Sequence, residues 1–395
     1  MTTVDTYTIG EDGAWCWFQD PRAVRHVGTH DRTYTGWVTH DGDIVTARYD
    51  HDDGSVRTTT LHAGFERDDH DAPSLYVDSE GRLLAFYTRH GGAAIRYRRG
   101  ERPEAIASFG PERSIAPADA HTYPDPRALY DTLYLFYRNG AGSVAYVRSG
   151  DDGRTWSDEH ELVTTGGRQW CVYRKISDVH DGALELGLTF AEGGAHRPHR
   201  DVRHVRFDGE TLATAGGADL GSTATFRDAP VVFETDATGR DAWIWDCSVA
   251  GGTPQLVYAT FDGPDDHAYR YARWTGQEWR DARVADAGSY IVHGNAERYY
   301  SAGIALDHDE PGVCYYARGD HDGSALRQAR TTDGGETWTV REVTDGTVQN
   351  VRPVVPRGRH DDLRVLWMCG SYTFYADGGY ETAIVGADVA PDTRG

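Results

Sequence analysis

The stretch SGDDGRTWS, residues 149–157, sets a hydroxyl at Ser149, a carboxylate at Asp151, a glycine at Gly153 and an indole at Trp156. TTDGGETWT, residues 331–339, sets Thr331, Asp333, Gly335 and Trp338 at the same offsets. A short carboxylate bonds backbone N–H groups of its own turn, glycine admits positive φ, and tryptophan brings a large apolar face to bury. The combination is a self-stapled hairpin. Two copies so far apart mean that the unit carrying them repeats. YARWTGQEW, residues 271–279, is a degenerate third copy without the aspartate. The motif thus places Asp151 and Asp333 in structural turns after the third strand of a repeat. Their tryptophans are expected to pack into that same repeat.

Around these turns, short apolar and aromatic runs recur between Gly, Asp and Pro, as in RTYTGWV (Arg32–Val38), RLLAFYT (Arg82–Thr88), TLYLFYR (Thr132–Arg138) and SVAYVRS (Ser143–Ser149). Such runs read as strands joined by tight turns, and no long amphipathic helix is visible. A longer period lies above them. DPRAV (Asp20–Val24), DAPSLYV (Asp71–Val77), DPRALY (Asp125–Tyr130), DAPVVF (Asp228–Phe233) and VRPVVP (Val351–Pro356) each set a proline before an apolar run. Proline suits the first residue of a strand, where no ladder N–H is required. VYRKIS (Val172–Ser177) and SAGIALD (Ser301–Asp307) complete seven starts. Their interval of roughly 50 residues is that of a four-stranded propeller blade. The expectation is an all-β, seven-bladed β-propeller of four-stranded antiparallel blades, a single domain over residues 1–395.

The 395 residues include 46 glycines, 23 tyrosines and 11 tryptophans, a composition that suits sheets and tight turns. Acidic residues number 62 against 40 basic ones, for a net charge of -22, and Lys175 is the one lysine. Asp is spread along the whole chain, which reads as a carboxylate-rich surface adapted to high salt. Such a surface lacks the clustered basic charge that phosphate binding requires, so nucleic acid is not expected as a partner. Five cysteines without close pairing (Cys16, Cys171, Cys247, Cys314, Cys369) read as reduced, mostly buried thiols. The first residues, MTTVDTYTIGEDGAWCW, show neither a basic nor an apolar leader region, and no apolar run approaches a membrane span. A cytoplasmic protein without membrane association is the expectation.

Seven stretches share a further likeness: WCWFQDPRAV, DDHDAPSLYV, LLAFYTRHGG, HTYPDPRAL, LYLFYRNG, SAGIALDHDEPGVCYYAR and LRVLWMCGSY. With the Asp-box turns above, they resemble, in order and over nearly the whole chain, the BNR-repeat propeller family of ulvan lyases and rhamnose–glucuronate lyases. The resemblance implies seven blades around a central funnel. It also implies β-elimination at a uronic acid beside rhamnose, giving a 4,5-unsaturated uronate, with an acidic glycan as the partner. That chemistry needs a group to hold the uronate carboxylate, a base for the C5 proton and an acid for the leaving oxygen.

The types required stand near strand starts and strand ends. By resemblance, His70, His90, Tyr123 and Arg138 match the family's catalytic residues. Tyr123 and His70 are the expected proton-transfer pair, with base and acid unassigned. Arg138 would grip the carboxylate with its fork, and His90 would orient the substrate. A second group of candidate substrate-binding residues comprises His121, which shares a strand face with Tyr123 if the strand alternates regularly, Tyr173, Lys175, Arg22 and Arg352. His267, Tyr269 and Arg270 resemble a family segment, and Tyr300 is placed to stack on a sugar ring.

This chemistry requires no cofactor, although structural calcium or zinc is compatible with the residues present. The acidic tracts at residues 50–53, 68–71 and 307–310 lack the spacing of a calcium loop and read as solvated turns. His196–His199 with His204, and Cys171 or Cys247, offer zinc-type ligands, but nothing fixes a metal. Two other readings stay open. A sialidase-like hydrolase would need three arginines, a tyrosine nucleophile with a glutamate and an acidic acid/base, and QDPRAV occupies the place of its arginine motif. A non-catalytic glycan-binding propeller would need only aromatics and a charged pocket. The salt reading has a direct check: Tm is expected to rise with KCl into the molar range. Full stability in dilute buffer would contradict it.

Overall fold

The alternating apolar runs are strands in the computed structural model, which describes residues 4–115, 120–192, 199–263, 265–292, 298–376 and 378–389. They form antiparallel meanders in chain order. Ala23–Val27, Asp31–Val38, Ile44–Asp50 and Val56–His62 make the first sheet, and Ser74–Val77, Leu83–Tyr87, Ile95–Arg99 and Arg113–Ile115 the second. The third contains Thr122–Leu129, Thr132–Arg138, Val144–Ser149 and His160–Thr164, with Ala224–Thr225 added in parallel. The fourth is built on Trp170–Ile176, Leu184–Glu192 and His199–Phe207. In the last sheet, Gln349–Val354, Val365–Tyr372 and Tyr380–Ala387 are joined by Thr6–Gly10 from the beginning of the chain, and this pairing closes the ring.

The described residues form six hydrogen-bonded sheets, not the seven separate blades expected. The difference lies in the fifth, which has eight strands. Its two antiparallel meanders, Asp241–Gly288 and Ile304–Glu342, are joined by one parallel bridge between Gly288 and Gly319. A Cβ on Gly288 would lie 2.1 Å from the Gly319 carbonyl oxygen, so only a glycine at 288 allows the backbones this close.

The proline rule also holds only in part. Pro73 directly precedes a strand and Pro21 lies two residues before one, but Pro126 and Pro353 lie inside Thr122–Leu129 and Gln349–Val354. Both strands slip register there, and Tyr123 and Arg352 take φ of 63° and 54°. These are bulges, which re-aim a side chain. Pro230 precedes Val231–Phe233, a short strand that pairs with His199–Phe207 instead of opening a sheet.

At the repeated turn, Asp151 Oδ1 accepts from the N–H groups of Arg154 (3.0 Å) and Thr155 (2.8 Å), and Gly153 N–H donates to Ser149 Oγ. Asp333 accepts likewise from Thr337 N–H at 3.0 Å. The tryptophans reach beyond their own repeat, although Trp279 also meets Trp274 of its own hairpin at 5.7 Å. Trp156 meets Phe86 and Tyr97 of the second sheet edge-on, Trp338 meets Tyr271 of the preceding meander, and Trp279 of the degenerate copy meets His204 of the fourth sheet. A Cβ on Gly153 would strike Leu84 at 2.7 Å. Each turn therefore ties one meander to the one before it.

The segment Ala14–Phe18 is buried and packs across sheets. Trp17 stacks on Trp245 at 4.3 Å and meets Trp243 edge-on at 4.8 Å, and Trp15 Nε1 donates to the Arg352 carbonyl. Asp151→Ala removes the backbone acceptor that shapes one inter-sheet tie. It is expected to lower Tm by several degrees in calorimetry, with turnover per folded molecule unchanged.

Candidate active site

Asp68 begins the site. It caps the short helical turn Asp69–Asp71, and its Oδ1 accepts from His70 N–H at 2.9 Å and from His70 Nδ1 at 2.6 Å. The turn is held from behind: Cys16 N–H donates to the Asp69 carbonyl, Gln19 to the His70 carbonyl, and Asp69 pairs with Arg352. The acidic tract 68–71, read from sequence as a solvated turn, is buried throughout.

His90, at the end of the next sheet's strand, lies parallel to His70, with ring centroids 4.0 Å apart and planes within 1°. Its Nδ1 is 3.8 Å from Asp68 Oδ2. Tyr375 meets both imidazoles edge-on. The Tyr123 ring, aimed by the bulge in its strand, stands 5.5 Å from His70. The Arg138 guanidinium lies over Tyr123 at 4.9 Å and Tyr173 at 5.0 Å. Arg138 also lines a cavity of about 480 Å³ with Gly91, Thr122, Arg168 and Cys171, the first two being chain neighbours of His90 and Tyr123. The four expected catalytic residues and Tyr173 thus come together.

The electrostatics are set by burial. Burial opposes ionisation of Asp68, but electrostatic attraction to His70 and hydrogen bonds from both histidines outweigh it and hold the carboxyl well below the usual range. His70 first, then burial, pulls His90 down to about 4. Burial keeps Tyr123 well above the usual phenol range, with Arg138 opposing. Arg138 stays charged despite its burial, supported by Tyr173 and Tyr123. Among the described residues it has no carboxylate partner, and its Nη1 is buried without a hydrogen bond.

Several other candidates are placed elsewhere. Lys175 is buried against the Asp20 carboxylate and the Trp17 carbonyl, and Arg22 pairs with the same Asp20 at 3.3 Å. His121 does not share a face with Tyr123, because the positive φ of Tyr123 breaks the alternation; it packs edge-on to Tyr137. His267 bonds Ser301 and the Arg298 carbonyl, Tyr269 donates to the Ala317 carbonyl, and Arg270 grips Asp281. These contacts make all three supports of the sheets. Arg352 acts from behind through Asp69 and Tyr372. Tyr300 packs edge-on to Trp17 and stacks with Tyr375 at 6.5 Å, beside the site.

Of the zinc-type ligands, His196 lies outside the described residues. His199 stacks on Trp243 at 3.4 Å, and His204 faces Glu185 at 2.9 Å. Cys247 Sγ is 3.3 Å from the Glu185 carbonyl. The described residues do not assemble these groups into one site. Asp50 pairs with Arg32 and Asp307 with Arg359, so neither is a free turn carboxylate. All five cysteines are unpaired thiols. Sequence reasoning missed Asp68, Tyr375 and Phe18, whose ring packs on Tyr123 and Tyr173. Only Asp68 left a signal, a carboxylate two residues before a histidine.

The model of the BNR repeat-containing family matches residues 32–287, and the chain belongs to that family. It is 28% identical over 166 residues to an ulvan lyase of Alteromonas sp. (strain LOR), a match that spans 35% of this chain and only 33% of that relative. It is 24% identical over 386 residues to an ulvan lyase-PL25 of Pseudoalteromonas sp. (strain PLSV), covering 84% of this chain and 74% of that one. A solved PL25 ulvan lyase structure superposes with a TM-score of 0.74 at 16% identity, covering 98% of this chain and 94% of the other. A second, bound to -[GlcA(1-4)Rha3S]-, gives 0.73.

The histidine pair has a pH signature. His90 stays neutral in the folded protein down to about 4 but has an ordinary value of 6.5. Unfolding therefore takes up a proton between these values, so its contribution to stability is full above pH 6.5 and is lost as pH falls towards 4. The loss linked to Asp68 falls below its ordinary value of 3.8, outside that window. His90→Gln is expected to flatten the Tm-versus-pH curve between about pH 6.5 and 4.

Proposed function

We propose that this chain is a polysaccharide lyase that cleaves an ulvan-type acidic glycan at a uronate by β-elimination. The observation that carries the reading is Arg138, a buried guanidinium at a cavity wall with no carboxylate partner among the described residues. Every ion removed from water needs a counter-charge, and the uronate carboxylate is of the right kind. The ligand in the related solved structure has a glucuronate beside a sulfated rhamnose.

In this reading the carboxylate enters the Arg138 fork, which draws electron density from C5 and acidifies its proton. Asp68 holds the Nδ1 side of His70, which presents Nε2 as the base. Tyr123, kept protonated by burial, gives its proton to the glycosidic oxygen. The C5–H electrons become the C4–C5 double bond as the C4–O bond breaks. The departing sugar leaves with a hydroxyl, and the imidazolium of His70 is stabilised by Asp68. His90 and Tyr375 form the wall that orients the ring. Arg22, where a hydrolase would place an arginine on its substrate, is committed to Asp20, which favours the lyase over the sialidase-like reading.

Incubation with ulvan is expected to raise the ultraviolet absorbance of an unsaturated uronate. New reducing ends without that absorbance would mean a hydrolase, and binding with neither a non-catalytic propeller. Tyr123→Phe is expected to reduce kcat by about 10²–10⁴-fold. Arg138→Lys keeps the charge but loses the fork, and is expected to cost about 10²–10³-fold in kcat/KM. Near-normal rates in both variants would overturn the assignment.

A further inference from the structure

At the seam where the ring closes, His51 follows the strand Ile44–Asp50 of the first sheet. His360 and Asp362 lie in the connection between Gln349–Val354 and Val365–Tyr372 of the last sheet. The three side chains meet. Asp362 Oδ1 is 2.6 Å from His51 Nδ1 and 2.5 Å from His360 Nδ1, and the two rings face each other at 4.3 Å. All three donor atoms lie within 4.8 Å of one another.

The outer side of each ring also meets an oxygen. His51 Nε2 is 2.9 Å from Thr33 Oγ1, and His360 Nε2 is 3.9 Å from the Asp31 carboxylate, itself held by Arg25. The hydrogen-bonded oxygen behind His51 is the arrangement that orients metal-bound histidine, and the Asp31 carboxylate lies near His360 beyond hydrogen-bond reach.

We infer that His51, His360 and Asp362 form a binding site for a divalent transition metal such as Zn²⁺, clipping the first sheet to the last. Two imidazole nitrogens and a carboxylate oxygen are ligands such ions take, and three protein ligands leave a further position to water. The strongly acidic chain favours cation capture. The seam is otherwise joined here by backbone bonds between Arg25 and Arg357 and by the Arg25 guanidinium on the Gly358 and Arg359 carbonyls. A metal bound only by the closed ring would stabilise closure by mass action. This inference is independent of the lyase reading.

The test uses the untagged full chain, stripped with a chelator and titrated with Zn²⁺ by calorimetry. Co²⁺ absorption then serves as a second probe of nitrogen and oxygen ligation. Saturable binding of one ion per chain is expected, with a Tm higher by several degrees. His360→Ala, at a partly exposed position, and Asp362→Asn should each abolish both. No saturable binding would overturn the inference and leave the cluster a proton-filled clamp. Binding that persists unchanged in both variants would place the ion elsewhere and overturn it equally.

Discussion

The ion pair between Asp69 and Arg352, both fully buried, joins the fold to its chemistry. Arg352 comes from the bulged first strand of the last sheet, and Asp69 from the turn that carries His70. The Tyr372 hydroxyl donates to the same carboxylate at 2.7 Å, and Arg352 also reaches the Trp15 carbonyl. Breaking such a pair leaves an uncompensated buried charge, at a cost of about 3–5 kcal/mol. The position of His70 is therefore tied to ring closure, because Arg352 sits correctly only when the last sheet has met the first.

Charge is treated in two ways around this core. Lys175 and Arg22 share Asp20, and Arg352 has Asp69, so these buried cations carry their anions with them. Arg138 does not. It lies on the faces of Tyr123 and Tyr173, whose rings stabilise a cation without neutralising it. A site of this kind is short of one negative charge, and an acidic sugar supplies one. The net charge of -22 and this local positive hollow are thus compatible. The one reflects the surface, the other a low-dielectric pocket where a single guanidinium dominates.

The repeated turns show what spacing alone conveys. The pattern Ser/Thr-x-Asp-x-Gly-x-x-Trp indicated a stapled hairpin, and the hydrogen bonds of Asp151 and Asp333 are local ones that a short window of sequence contains. The same window did not reveal that Trp156 packs on the sheet before its own, since that depends on residues more than fifty positions away. Nor did the proline rule reveal the bulges at Tyr123 and Arg352. A positive φ in a tyrosine or arginine is imposed by surrounding packing.

The sequence by itself determined the all-β repeat architecture, the hairpin staples and the chemical types on which the site draws, because periodicity and turn chemistry are local properties. Motif resemblance singled out His70, His90, Tyr123 and Arg138, which the structure brings close together. The tertiary structure alone decided which of the remaining candidates are supports: Lys175, His267, Tyr269 and Arg270 differ from site residues only in the partners they meet. It also decided that the DDHD tract is buried, with Asp68 as the anchor of the histidine pair, and that Gly288 and Gly319 merge two meanders into one sheet. The reason is the same in each case. A side chain's role here is fixed by its burial and by its counter-charge, and both are supplied by residues distant in the chain.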